Sequence, residues 1–124
     1  MLINLSNHPS NKWPQQQIEA ANQYGEIRDM PFPAIDPAAS TDTVIGLAEG
    51  YLSEFEAMLG DNHLSGAVHV MGELTFCYAL VNMLQKRGIR CVASTTERLV
   101  TENGNAKTVE FNFCRFREYP YFGS

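Results

Sequence analysis

Basic residues are scarce: nine Lys and Arg stand against fourteen Asp and Glu in 124 residues, for a net charge of −5. Long nucleic acid is held chiefly by a basic face, so this balance argues against binding of that kind. A small nucleotide remains compatible, because backbone N–H groups, a few hydroxyls and one or two cations can hold it. No apolar run approaches the roughly 18 residues of a membrane span. The opening Met-Leu-Ile-Asn-Leu-Ser lacks a basic leader region and is short for a signal peptide, so it is expected to be a first strand, with the cytoplasm as compartment. Metal-ligand spacing is missing too. The chain has no Cys-x-x-Cys and no His-x-x-x-His, and Cys77, Cys91 and Cys114 are odd in number, far apart and set in apolar patterns, which reads as buried structural thiols. A full Gly-x-Gly-x-x-Gly dinucleotide fingerprint is absent.

What is present suits one domain, residues 1–119, with a short tail over 120–124; 44% of residues are hydrophobic, ordinary for a globular chain with a real core. Residues 2–5 read as a strand that meets the polar turn Ser6-Asn7-His8-Pro9-Ser10. Trp13-Pro14 opens a helix over 15–24, with Pro preorganised for the first turn, Ile18, Ala21 and Tyr24 as a narrow apolar stripe, and Gly25 as its stop. Residues 26–30 form a short second strand, and the proline-rich link 31–37 cannot be helical. Ser40 to Thr43 supply N-caps for a longer helix carrying Val44, Leu47, Ala48, Tyr51, Phe55 and Met58 or Leu59 at helical spacing.

The stretch Ala67-Val68-His69-Val70-Met71-Gly72-Glu73-Leu74-Thr75-Phe76 is a short strand running through a glycine into a helix. Such a junction leaves free N–H groups beyond the strand's carboxyl end. The helix continues through Phe76, Cys77, Leu80, Val81 and Leu84, with Lys86 and Arg87 suited to its C-terminal dipole and Gly88 as its cap. A fourth strand over 90–96 extends through Leu99-Val100 to a turn at Asn103-Gly104, the strongest short hairpin signal. On the returning strand Val109, Phe111 and Phe113 share a face, but Phe116 falls out of register, which implies a bulge or a change of burial near Cys114. Three βα units and a hairpin define an α/β, Rossmann-like three-layer sandwich with a mostly parallel sheet. With flavodoxin-type strand order 2-1-3-4, the loops 6–12 and 71–76 sit side by side at the topological switch point, where open sheets of this class bind ligands.

The first of those loops offers Ser6, Asn7, His8, Ser10 and Lys12. His8 can exchange a proton near neutral pH or donate to a phosphate oxygen; the plainer reading is a polar turn that caps the next helix. His69, mid-strand, reads as a core or interface histidine, and His63 as a loop residue without nearby support. Glu73 stands in the first turn of its helix, where the dipole favours a carboxylate, or it meets a ribose hydroxyl or base amine. Gly72 admits a ligand to the backbone, and Thr75 is a helix-start residue or a second hydroxyl contact. In Ser94-Thr95-Thr96-Glu97-Arg98, Thr95 and Thr96 are hydroxyl candidates. Arg98 is the best cation for a phosphate, with Glu97 as the partner that would make it structural. Arg115 and Arg117 share a face that is solvated or turned to a partner subunit.

The pattern Ser-Asn-His-Pro-Ser-Asn-Lys-Trp after the first strand resembles the Ser-x-His-Pro-Gly turn, followed by Trp, of small standalone CRISPR ring nucleases with a CARF-like Rossmann fold. Met-Gly-Glu-Leu-Thr-Phe sits where that group has its second ligand loop. The resemblance implies a type III CRISPR accessory protein: a homodimer that binds a cyclic oligoadenylate, with cyclic tetra-adenylate the expected ring, and cleaves it by 2′-OH attack without a metal or other cofactor. Such chemistry relies on positioning and on stabilising phosphorane charge. His8, Arg98 and Glu73 are then the catalytic candidates, and Ser6, Asn7, Ser10, Lys12, Gly72, Thr75, Thr95 and Thr96 the ligand-binding ones. This chain departs from the pattern in carrying Ser10 where the relatives tend to have Gly, and in the acidic Glu73. Other readings of the same residues are a cyclic-nucleotide module that sequesters without cutting, a nucleoside glycosidase or transferase with Glu73 as nucleophile, and an interaction protein whose switch-point loops are only turns.

Overall fold

Which strand faces each side chain adopts decides where this protein keeps its polar groups. The computed structural model describes residues 1–62 and 64–123; His63, like Ser124 of the tail, lies outside the described residues. Strands β1 (Leu2–Ser6), β2 (Ile27–Pro31), β3 (Ala67–Val70) and β4 (Arg90–Asn103) run parallel, and β5 (Ala106–Glu118) returns antiparallel along β4, in the order β2-β1-β3-β4-β5. Helices α1 (Gln15–Asn22), α2 (Thr41–Leu59) and α3 (Leu74–Lys86) complete the expected Rossmann-like sandwich. No described helix is long and apolar enough to cross a membrane.

β1 and β3 are buried along their whole length, so the polar side chains they carry, Asn4, Ser6 and His69, have to find hydrogen-bond partners within the protein. Alternation divides them between two cores. Ile3, Leu5, Val68, Val70 and Cys91 pack with α2 and α3, while Leu2, Ala67, Val92, Phe113 and Phe116 pack with Ala21 of α1, Trp13 and Tyr24. The two faces are not covered equally. α2 and α3, of 19 and 13 residues, cover the first, whereas α1 has 8 residues and reaches only part of the second. On that second face the strands are apolar at Leu2 and Ala67 and turn polar further along, at Asn4, Ser6 and His69.

Local chemistry accounts for the helix limits. Ser40 caps α2 by accepting from the Thr43 N–H at 3.2 Å, and Asp42 lies in its first turn. Its buried stripe is Val44, Ala48, Leu52, Phe55 and Leu59; Leu47, Tyr51 and Met58 are only half-buried at its margin. α1 ends at Asn22, short of the expected Tyr24, because the Gln23 and Tyr24 N–H groups reach back to Ala20 and Ala21 in a tightened turn. Its buried residues are Gln17 and Ala21, with Ile18 half-buried.

Gly104, at φ +66°, turns the hairpin. A register shift opposite Thr95 and Thr96 leaves Cys114 unpaired between Phe113 and Arg115. This bulge reverses the alternation, so that Phe113 and Phe116 both face α1 at 8% exposure. The expected irregularity near Cys114 is therefore present, but Cys114 itself is exposed, correcting its reading as a buried thiol: the bulge residue is the one turned to water. Cys77 and Cys91 are buried, and burial pushes their thiols up to about 11 and about 12. Beyond the bulge, residues 97–112 form a ribbon that no helix covers; Phe111 there is 65% exposed. The chain end is fastened, since Gln85 Nε2 donates to the Tyr119 and Pro120 carbonyls and the Tyr119 hydroxyl donates to the Val70 carbonyl at 2.7 Å.

Candidate functional site

The strip of the sheet that α1 leaves uncovered forms the floor of a cleft of about 430 Å³. Its lining comes from three places: the loop after β1 (Ser6, Asn7, His8, Lys12) with Trp13, Pro14 and Gln17, the end of β3 and its turn (His69, Met71, Gly72), and Ser94 and Thr96 of β4. These are the strand ends on either side of the switch point between β1 and β3, the position at which doubly wound sheets bind ligands. Trp13 closes one wall. Its indole N–H donates to the His8 carbonyl at 3.1 Å, and its ring meets His69 edge-on with 5.5 Å between centroids, while Phe116 meets His69 at 5.4 Å.

Beneath the cleft a polar chain crosses four strands, from exposed Asp29 through buried Asn4 and His69 to half-buried Ser94. Asn4, 1% exposed, donates from Nδ2 to Asp29 Oδ1 at 2.8 Å and to the His8 carbonyl at 2.9 Å. Its Oδ1 accepts from Ser6 Oγ at 2.8 Å and lies 2.8 Å from His69 Nδ1. His69 Nε2 lies 3.2 Å from Ser94 Oγ. Burial raises the Asp29 carboxyl, but hydrogen bonds from Asn4 and from the Ser10 hydroxyl and N–H outweigh it, and the group stays below the ordinary carboxylate value. Burial, with a smaller contribution from the charge of His8, lowers His69 to about 4. It is a neutral imidazole near neutral pH.

The expected site residues divide. Ser6, Asn7, His8, Lys12, Gly72 and Thr96 are brought together in the cleft. Ser10, Glu73, Thr75, Thr95 and Arg98 are not among its lining, and most of these have identifiable work elsewhere. Ser10 holds Asp29 through its hydroxyl, at 2.7 Å from Oδ2. Glu73 is the N-cap of α3: the Thr75 hydroxyl and the Phe76 and Thr75 N–H groups donate to its carboxylate and keep its pKa below the usual range. Glu73 and Thr75 thus do the helix-end work that the plainer reading gave them. Thr95 donates to the Arg115 carbonyl across the hairpin. Arg98 stands exposed on the ribbon, opposite Phe111, and makes no ion pair with Glu97 among the described residues.

Gly72 lines the cleft, yet the reason for a glycine there is Phe32. A Cβ at 72 would lie 2.3 Å from the Phe32 ring. Sequence reasoning missed Asn4 and Asp29, and it took His69 only as a core or interface residue. The available signal was a polar residue at mid-strand in each of two otherwise apolar parallel strands, Asn4 and His69, which register pairs side by side. Among the described residues no three His, Cys, Asp or Glu side chains cluster closely enough to hold a metal ion.

A mostly parallel α/β domain with a cleft at its switch point defines the class, the open α/β sheets in which ligands bind at strand ends. Within that class, the chain belongs to the family described as "Uncharacterized protein MJ1673 family", whose match covers residues 1–117. No curated protein and no solved structure matches the chain.

Proposed function

We propose that this protein is a metal-independent ring nuclease, binding and cleaving a cyclic oligoadenylate, with cyclic tetra-adenylate the expected ring, and acting in the cytoplasm to end type III CRISPR signalling. The observation that carries the reading is that the His-Pro loop, which bears the resemblance to such enzymes, delivers Ser6, Asn7, His8 and Lys12 into one switch-point cleft with Gly72 and Thr96. A cleft of about 430 Å³ is within the range for small-molecule sites. Lys12 supplies a cation and His8 a proton carrier within a chain of net negative charge. A ligand ring is larger than one such cleft. Two chains about a two-fold axis would present every lining residue twice to a ligand of matching symmetry. Leu74 and Tyr78, one turn apart on α3 just beyond the cleft-lining Met71 and Gly72, are 83% and 75% exposed and provide apolar surface for that second copy.

In this reading the ring is held so that a ribose 2′-OH stands in line with its neighbouring phosphate, and the charge that develops on phosphorus is met by Lys12 and His8. The test is incubation with cyclic tetra-adenylate in the presence of EDTA, with products identified by mass. Linear species ending in 2′,3′-cyclic phosphate are expected, and His8→Ala should slow their appearance by roughly a hundredfold or more. An intact ring that remains bound would identify a sequestering module instead. Release of free adenine would point to a glycosidase or transferase with Glu73 as nucleophile.

A further inference from the structure

The polar chain beneath the cleft has a direction, and the direction follows from which atoms carry protons. Asn4 Nδ2 faces a carboxylate oxygen of Asp29 and the carbonyl of His8, neither of which can donate, so the amide cannot be turned round. Its Oδ1 therefore faces His69 Nδ1 at 2.8 Å. An amide oxygen has no proton to give, so His69 Nδ1 must carry one. A neutral imidazole protonated at Nδ1 holds a lone pair at Nε2. The group 3.2 Å from that lone pair is the Ser94 hydroxyl, which must be the donor. Its oxygen lone pairs are left for the cleft that Ser94 lines. Met71 Sδ, at 3.0 Å from Ser94 Oγ, competes for the hydroxyl proton, but a thioether is a weak acceptor on a flexible side chain.

His69 is 2% exposed, whereas Ser94 is half-buried and reaches the cleft. Ser94 is thus the hydroxyl through which this imidazole addresses a ligand. We infer that Ser94 and His69 form a proton relay that serves as general base for the hydroxyl attacking in the cleft, with Asn4 and Asp29 fixing the imidazole's tautomer. The inference rests on the ring-cleavage reading and names the base which that reading leaves open. In the step, the ribose 2′-OH gives its proton to Ser94 Oγ as Ser94 gives its own to His69 Nε2. The O2′–P bond forms and the P–O5′ bond breaks. The departing 5′ oxygen takes a proton from the Lys12 ammonium, and the His69 imidazolium and Lys12 amine are restored by exchange with water. The net change is a transesterification, so no water, oxidant or metal is consumed. Ser94 touches the reacting hydroxyl and is the catalytic residue; His69 and Asn4 act through it and are positioning residues.

Single-turnover cleavage of cyclic tetra-adenylate by the full-length protein, paired with equilibrium binding of the 2′-deoxy ring, tests the relay. Ser94→Ala should reduce the cleavage rate roughly a hundredfold or more and change the dissociation constant by no more than about threefold; Ser94→Thr, which keeps a hydroxyl, should recover most of the rate. Nitrogen-15 spectra of the His69 imidazole should show Nδ1 protonated and Nε2 bare near neutral pH. Wild-type rates in Ser94→Ala, a defect confined to binding, or a proton on Nε2 would each overturn the relay while leaving ring cleavage standing. A wild-type protein that leaves the ring intact overturns ring cleavage, and the relay with it.

Discussion

His69 carries a cost that pH can expose. Its pKa falls from an ordinary 6.5 to about 4 on folding, so above pH 6.5 both states are neutral and the group contributes nothing. Between those values the unfolded chain binds more protons, and stability must fall as the solution is acidified, by up to about 3 kcal/mol at pH 4. Urea unfolding across this range should show that slope, and His69→Gln should flatten it relative to wild type. Gly72 makes a steric prediction. With Phe32 ring carbons 2.3 Å from where a Cβ would sit, Gly72→Ala should cost about 1–3 kcal/mol through overpacking, measured by denaturant midpoint, and Phe32→Leu in the same chain should recover part of it. Individual residues were unevenly legible in sequence. Ser6, Asn7, His8 and Lys12 were found because they are neighbours in one turn. Asn4, Asp29 and His69 come from three different strands, and nothing local marks them as partners.

Among the elements, β4 and β5 are one hairpin under two regimes. Up to the bulge they belong to the sheet and bury Phe113 and Phe116; beyond it the ribbon has water on both sides. Phe113→Ala should therefore lose about 3–5 kcal/mol, whereas Phe111→Ser on the ribbon should stay within about 0.5 kcal/mol, a contrast that paired denaturation curves will read directly. The alternation Val109, Phe111, Phe113 is uniform in sequence, and so could not tell covered strand from bare ribbon. α1 bears on the cleft through its start, where Trp13, Pro14 and Gln17 line it, whereas its far end, where the Met1 amine donates to the Tyr24 carbonyl, lies at the opposite, starting edge of the strands.

For the molecule as a whole, the proposed two-fold assembly makes the oligomeric state a measurable matter. Sedimentation equilibrium should return twice the chain mass, and Tyr78→Glu or Leu74→Glu, placed on exposed positions that the fold itself does not need, should yield a folded monomer with weakened ring binding. Unchanged mass in both variants would remove α3 from consideration as the contact face. The assembly is also where Arg98 can be judged: exposed on a ribbon outside its own cleft, it is available to a neighbour.

Sequence by itself determined the class of fold, an irregularity near Cys114 and the loop that furnishes part of the cleft, whereas the strand order entered as a flavodoxin-type assumption that the sheet bears out. The first three rest on short-range signals: apolar period, proline and glycine punctuation, and caps within a few residues. Tertiary structure alone decided that Gly72 makes room for Phe32, and that Asp29, Asn4, His69 and Ser94 join into one hydrogen-bonded chain. Parallel pairing is the physical reason. It sets side by side residues that lie 25 and 65 positions apart in the chain, and only their register brings four ordinary polar residues into one hydrogen-bonded chain.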